Sequence, residues 1–240
     1  MSAFPSGIPG IRTERTATPV RILKSTVGAV RLPSALLVAG SKSRDPGNTG
    51  DLDTLRPGTL LGLITASGKL APFTFGPTTG TTAQNGTAYT SGGTSIAVAP
   101  AAAVEIVRRI GTSGNLTYIG PTSANGAIST YPTSIAFSAV NTSTGVITTS
   151  TLGQNLAVGA LVCATDGTAT PLALLGNEYG LKVTDENAVD IDVPCGDVLI
   201  GGILDSSNIP FWPSDTGIRA WLVSQLNTYG RFWFDHIYGL

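Results

Sequence analysis

Short apolar runs fenced by Gly, Pro, Asn and Asp set the rhythm of this chain. Such runs are too brief for buried helices and read as strands joined by tight turns. The clearest is 59–65 (TLLGLIT), followed by the turn residues Ala66-Ser67-Gly68-Lys69 and a return strand over 70–75. Pro72 marks that return as short or at a sheet edge, because proline has no N–H for the ladder. Further strands are predicted at 27–32, 35–38, 95–99 and 115–119. A hairpin is predicted at 134–140 and 145–150, joined by Asn141-Thr142-Ser143-Thr144. Residues 158–164 and 170–175 flank Asp166-Gly167, a second strong hairpin signal. Residues 181–184 and 189–193 (V-D-I-D-V) alternate apolar with polar or acidic residues, as half-exposed strands do, and 198–204 (VLIGGIL) suits a buried strand.

Only two stretches carry a helical period. Pro100 opens a helix over 101–110, with Val104, Ile106, Val107 and Ile110 toward the core and Glu105, Arg108 and Arg109 toward water. Ser214 caps a second helix over 215–227, whose stripe is Ile218, Trp221, Leu222 and Leu226, and Gly230 stops it. The expected fold is therefore mainly β. Residues 1–50, broken by Pro5, Pro9, Pro19 and Pro33 and ending in the polar loop 41–50, read as an extended arm. With so few large apolar residues it stays disordered or borrows a partner's sheet edge. Residues 76–155, rich in Thr and Gly, read as an inserted β-rich lobe with one helix. The main β domain then comprises 51–75 and 156–240, and the lobe is expected to be excisable between Phe75 and Leu156.

Composition sharpens this picture. Charged residues make up 12% of the chain, about half the usual share, which argues against a helical bundle with charged outer faces. The net charge of −1 argues against a general nucleic-acid binder. It hides an asymmetry, however. Residues 1–44 hold seven bases (Arg12, Arg15, Arg21, Lys24, Arg31, Lys42, Arg44) against Glu14, whereas Glu178 onward holds nine acids against three bases. A basic arm beside an acidic half favours docking on an acidic protein surface.

Chemistry has little to work with. The one histidine, His236, adjoins Asp235 in an aromatic tail, and no P-loop, GxGxxG, HExxH or GxSxG pattern occurs, so no enzyme is expected. Cys163 and Cys195 have no metal or CxxC spacing and sit in apolar runs, as buried free thiols do. Asp190 and Asp192 lack the oxygen-rich loop that Ca²⁺ requires and read as a solvated strand face. No cofactor or metal is expected. The start of the chain lacks an apolar leader segment and no run suits a membrane span, so a soluble protein made in a cytoplasm is expected. Near the C-terminus, Trp212, Trp221, Phe232, Trp233, Phe234 and Tyr238 crowd together, reading equally as core or as interface anchors.

One segment carries a family resemblance. Residues 51–72 (DLDTLRPGTLLGLITASGKLAP) resemble the opening of tailed-phage head decoration, or cement, proteins of the lambda D type: an arm, a Pro-Gly-Thr turn, a strand and a Thr-x-x-Gly-Lys hairpin. Residues 156–175 and 189–204 (VDIDVPCGDVLIGGIL) resemble the paired strands of that module. The resemblance implies a β-tulip domain that sits as a homotrimer on three-fold positions of the expanded capsid, in the virion. It further implies an arm that adds strands to the major capsid protein, with no active site and no direct contact with nucleic acid or membrane. Arg12, Arg15, Arg21, Lys24 and Arg31 are then the expected docking cations of the arm. Trp221, Leu222, Trp233 and Phe234 are the expected interface anchors. A phage tail or cell-surface adhesin is the rival reading, since a Thr/Gly-rich β domain suits it equally; a small hydrolase is disfavoured by the single histidine.

Overall fold

β-Branched and leucine-rich runs separated by turn residues close into two main sheets and two small ones in the computed structural model, which describes residues 19–32, 36–80, 88–120, 122–124, 127–129 and 133–234. The first strands in chain order are β1 Leu23–Leu32, β2 Leu37–Val38, β3 Thr54–Leu55, β4 Leu60–Leu63, β5 Leu70–Pro72, β6 Gly76–Pro77, β7 Ala88–Tyr89 and β8 Ser95–Ala97. Helix α1, Pro100–Arg109, leads into β9 Gly114–Ile119, β10 Thr122–Ala124, β11 Ala127–Ser129, β12 Thr133–Val140, β13 Val146–Thr149 and β14 Asn155–Ala157. Then come β15 Leu161–Ala164, β16 Pro171–Leu175, β17 Leu181–Lys182, β18 Val193–Pro194, β19 Val198–Leu204, α2 Thr216–Tyr229 and β20 Arg231–Phe234. The mainly β expectation holds.

The larger sheet runs β1-β19-β16-β4-β5-β2-β18, with β20 added in parallel to β19. Its central strands are buried on both faces. Leu60, Leu174 and Leu199 enter the main core, while Leu61, Ala173, Leu175 and Val198 enter a smaller one with Val38, Leu55 and Val183. That double burial explains the unbroken apolar runs, since a strand covered on both sides has no polar positions to alternate with. The second sheet runs β6-β15-β9-β12-β13-β8. Its strands β12 and β13 show the alternating pattern instead: Ile135, Phe137, Ile147 and Thr149 point inward, and Ser134, Ala136 and Thr148 face water.

The predicted β12–β13 hairpin is present, with Val140 opposite Ile147. Gly145 takes φ +78° there, and a Cβ would collide with the Val98 carbonyl, so only glycine fits. The β4–β5 hairpin also forms, with Leu61 opposite Pro72. Pro72 ends a strand that is short, as expected, but internal to the sheet, because β2 pairs with β5 on its far side. Residues 166–170, however, are no hairpin turn. β15 pairs with β9 and β16 pairs with β4, so Asp166-Gly167 carries the chain from one sheet to the other. Gly167, at φ +105°, packs against Thr65 so closely that a Cβ would strike its hydroxyl.

Two boundaries also differ from expectation. The arm does not extend to residue 50. From Pro19 onward the chain is built into the domain: β1 pairs with β19, β2 lies between β5 and β18, and Ile22 and Val38 are buried. Residues 1–18 lie outside the described residues. Pairing with β19 satisfies one side of the strand that was expected to seek a partner. Deleting 1–50 should therefore abolish cooperative unfolding in a thermal melt, because β1 and β2 go with it. Nor is 76–155 a separate lobe, because β9 is the partner of β15, with Leu116 opposite Ala164, and one core runs through both parts.

Helix α1 forms where predicted, with Ile106 buried and Ile110 against the core as expected, but it is rotated so that Glu105 and Arg109 turn inward and Val104 outward. Ala102, Ala103, Glu105, Ile106 and Arg109 are buried, and Val104 is 47% exposed. The contacts of Arg109 fix the rotation, and an ion pair within the helix satisfies Glu105. Glu105 takes Arg108 at 2.5 Å, and the Arg109 guanidinium reaches the sheet junction, donating to the Pro72 carbonyl at 2.9 Å, Thr168 Oγ1 at 2.5 Å and Asp166 at 2.9 Å. Helix α2 starts one residue later than expected: Asp215, not Ser214, is the cap, accepting from the Ile218 N–H at 2.8 Å. Gly230 ends it as expected. None of the described helices is long and apolar enough to cross a membrane.

Candidate functional site: the β1–β19–β20 face

β19 brings together two groups of residues that the sequence holds far apart. β1 pairs along one side of it, while β16 and β20 share the other. Cross-strand neighbours share a face. The row Ser25–Ile203–Trp233 and the row Val30–Gly201–Arg231 therefore join the basic N-terminal strand to the aromatic tail. Val30 is 47% and Trp233 is 41% exposed, and Arg31 and Arg231 are also exposed.

β1 has a strand partner on one side only among the described residues, so it is an edge. Its register against β19 slips between Ser25 and Val30, and the strand bows away there. A groove of about 430 Å³ lies beside it, lined by Arg21, Leu23, Lys24, Arg31, Glu178 and Leu199 among others. Arg31 Nε donates to Asp197 Oδ1 at 2.7 Å, with both side chains partly in water. Arg21, Lys24 and Arg31 thus line the groove together with Glu178, and Asp197 takes the Arg31 charge. Of the expected docking cations, Arg21, Lys24 and Arg31 line this groove, and Arg12 and Arg15 lie outside the described residues.

The four expected anchors separate. Leu222 and Phe234 are fully buried in this chain's own core, Phe234 stacking on Trp212 at 4.7 Å between centroids. Trp221 is half-buried and stacks on Phe73 at 6.4 Å. Trp233 alone presents a large part of its ring to solvent, because β20 alternates and places Phe232 and Phe234 inward. Substitution effects should divide accordingly. Leu222→Ala should cost about 3 kcal/mol of stability through the cavity it leaves, while Trp233→Ala should stay within about 1 kcal/mol. Chemical denaturation of both variants checks this. His236 and Tyr238 lie outside the described residues.

The acidic residues expected on a solvated strand face are engaged by cations. Asp190 pairs with Arg44 and, at 3.4 Å, with Arg108, while Arg44 also holds Asp53 at 2.9 Å. Asp192 takes Lys69 at 2.5 Å and the Gly40 N–H at 3.3 Å. The Lys69 hydrogen bond, with its charge, holds the Asp192 carboxyl below the usual carboxylate range. Asp190 and Asp192 are exposed, as expected, but Val189 and Ile191 are too, at 57% and 41%, so the segment has no buried apolar face. Among the described residues no His, Cys, Asp and Glu group gathers in a way that could hold a metal ion. Cys163 and Cys195 are buried and free, as expected, and burial pushes both thiols upward.

The sequence reading missed the charge network of Arg44, Arg108 and Arg109. A signal for part of it existed: Glu105, Arg108, Arg109 and Asp166 are the only charges between Lys69 and Glu178, and they pair with one another. Comparison with protein-family models, with curated proteins and with solved structures gives no match to this chain.

Proposed function

We propose that the chain is a structural protein of a phage virion that binds the surface of the expanded head and cements neighbouring major capsid proteins. In this reading it acts as a homotrimer, without enzymatic activity, cofactor, or contact with nucleic acid or membrane. The observation that supports it best is the edge strand β1, beside which Arg21, Lys24 and Arg31 line a groove. Arg12 and Arg15 precede it in sequence. An open edge offers backbone donors and acceptors to a partner strand, and its cations favour an acidic partner surface. Trp233, Val30 and Arg231 extend the same face with side chain types favoured at interface centres. The resemblance of residues 51–72 to the cement proteins points to the same partner, and three linked copies multiply weak contacts through effective concentration.

Co-sedimentation with purified expanded heads tests the reading. Saturable binding that weakens as salt rises is the expected result. Binding to host cells or glycans, with none to heads at low salt, overturns it in favour of the adhesin.

A further inference from the structure

We propose that residues 185–194 form a latch, held down by charge, that opens as a unit and uncovers the edge of β2 while the rest of the fold stays intact. The inference goes beyond shell binding and does not depend on it. No residue from 185 to 194 is buried, whereas Thr184 and Cys195 on either side of the segment are. Val189 and Ile191 are exposed, so they add little burial to hold it. Segments with few buried apolar contacts are those that open locally, well before the whole domain does.

Two carboxylates tie the segment to the body. Asp190 pairs with Arg44 and, at 3.4 Å, with Arg108, while Asp192 pairs with Lys69 at 2.5 Å. Asp53 and Glu105 draw on the same two arginines, at 2.9 Å from Arg44 and 2.5 Å from Arg108. Asp192 Oδ1 also accepts the Gly40 N–H at 3.3 Å. The Asp190 and Asp192 side chains are 33% and 38% exposed. Pairs so far in water hold weakly and are screened by salt. The Ile191 N–H, donating to the Val183 carbonyl at 3.1 Å, and the two-residue strand β18 complete the attachment.

Gly40 lets the latch lie flat, because a Cβ there would come within 2.2 Å of the Ile191 carbonyl oxygen. At the far end Val193 lies opposite Val38 and Pro194 opposite Leu37, and the Cys195 N–H donates to the Leu36 carbonyl at 3.0 Å. Closed, the latch ends the larger sheet in a short strand containing proline, which is unsuited to strand addition. Lifting it breaks these pairs and leaves β2, backed by β5, as an open edge that can take a partner's strand. Lifting also uncovers Cys195, which is buried in the smaller core, whereas Cys163 lies in the main one.

Thiol alkylation of the native full chain, resolved by peptide mass spectrometry, reads the opening at Cys195 with Cys163 as the internal control. Asp190→Asn with Asp192→Asn should raise the Cys195 rate about tenfold at low salt, as expected for the loss of partly exposed pairs. Cys163 should stay protected and the circular dichroism unchanged. In the wild type, salt at about 1 M, where screening acts beyond about 3 Å, should raise the Cys195 rate to a similar degree, and it should add little in the double variant. Gly40→Ala, which displaces the segment by contact and not by charge, should raise the rate at every salt concentration. A Cys195 rate indifferent to salt and to the double substitution overturns the latch, as does a Gly40→Ala rate equal to that of the wild type. Cys163 reacting in step with Cys195 overturns it too, since the whole domain would then be opening.

Discussion

Arg109→Ala should lower the free energy of unfolding by about 3 kcal/mol, at the lower end of what breaking a buried ion pair costs. The guanidinium is 2% exposed, lies over the Phe75 ring at 5.4 Å, and joins α1 to the crossing point between the two sheets. Its removal leaves the Pro72 carbonyl and Thr168 without their donor. Asp166 is 29% exposed and regains some hydration, which keeps the loss from being larger. In urea the midpoint should fall with little change in slope. Arg109→Lys should recover only part, because one ammonium cannot replace a planar fork serving three acceptors.

The same pair has a pH signature. Burial pushes the Asp166 carboxyl up, but the Arg109 charge and the Thr168 and Arg109 hydrogen bonds outweigh it and hold the group below its ordinary range. A depressed pKa contributes stability above the unfolded value of about 3.9 and loses it as pH falls through the folded value. The stability gap between wild type and Arg109→Ala should therefore shrink below about pH 4. A gap that holds its size into strong acid would contradict this assignment.

Excising the segment between Phe75 and Leu156 should leave a chain that cannot fold. The cut removes β9, the partner of β15, and β8, β12 and β13 with it. It also takes Ile96, Ile106, Leu116, Tyr118, Phe137 and Ile147 out of the main core. Burial of each large side chain contributes about 1.5–3 kcal/mol, and a domain has only about 5–15 kcal/mol in total to lose. Exposure of Leu161 and Val162, both buried against the removed strands, would promote aggregation. Soluble expression with a sharp thermal transition would show that the two parts fold independently after all.

How far the sequence led depended on whether the deciding interaction was local. The β4–β5 and β12–β13 hairpins and the α2 stop were legible because turn residues and a capping glycine act within a few positions. The double burial of β16 and β19 was written in their unbroken apolar runs. Failures arose where a distant partner decided. The rotation of α1 follows from Arg109 reaching Asp166, an acid 57 residues away. The same contact draws Asp166-Gly167 into a crossover, although the dipeptide is locally a hairpin signal. The V-D-I-D-V run turns its carboxylates toward Arg44, Arg108 and Lys69, three cations from separate parts of the chain. Of the candidate site, the cations of β1 and the exposure of an aromatic anchor were readable singly. Their meeting across β19 was not, since the parallel pairing of β20 depends on the α2 crossover between the two strands.

The most direct test of the central claim is cryo-electron microscopy of expanded heads incubated with the full-length chain. The proposed function predicts density on the outer surface at the three-fold positions, with the β1–β19–β20 face against the shell. Heads that remain bare at saturating concentrations of folded protein would contradict it.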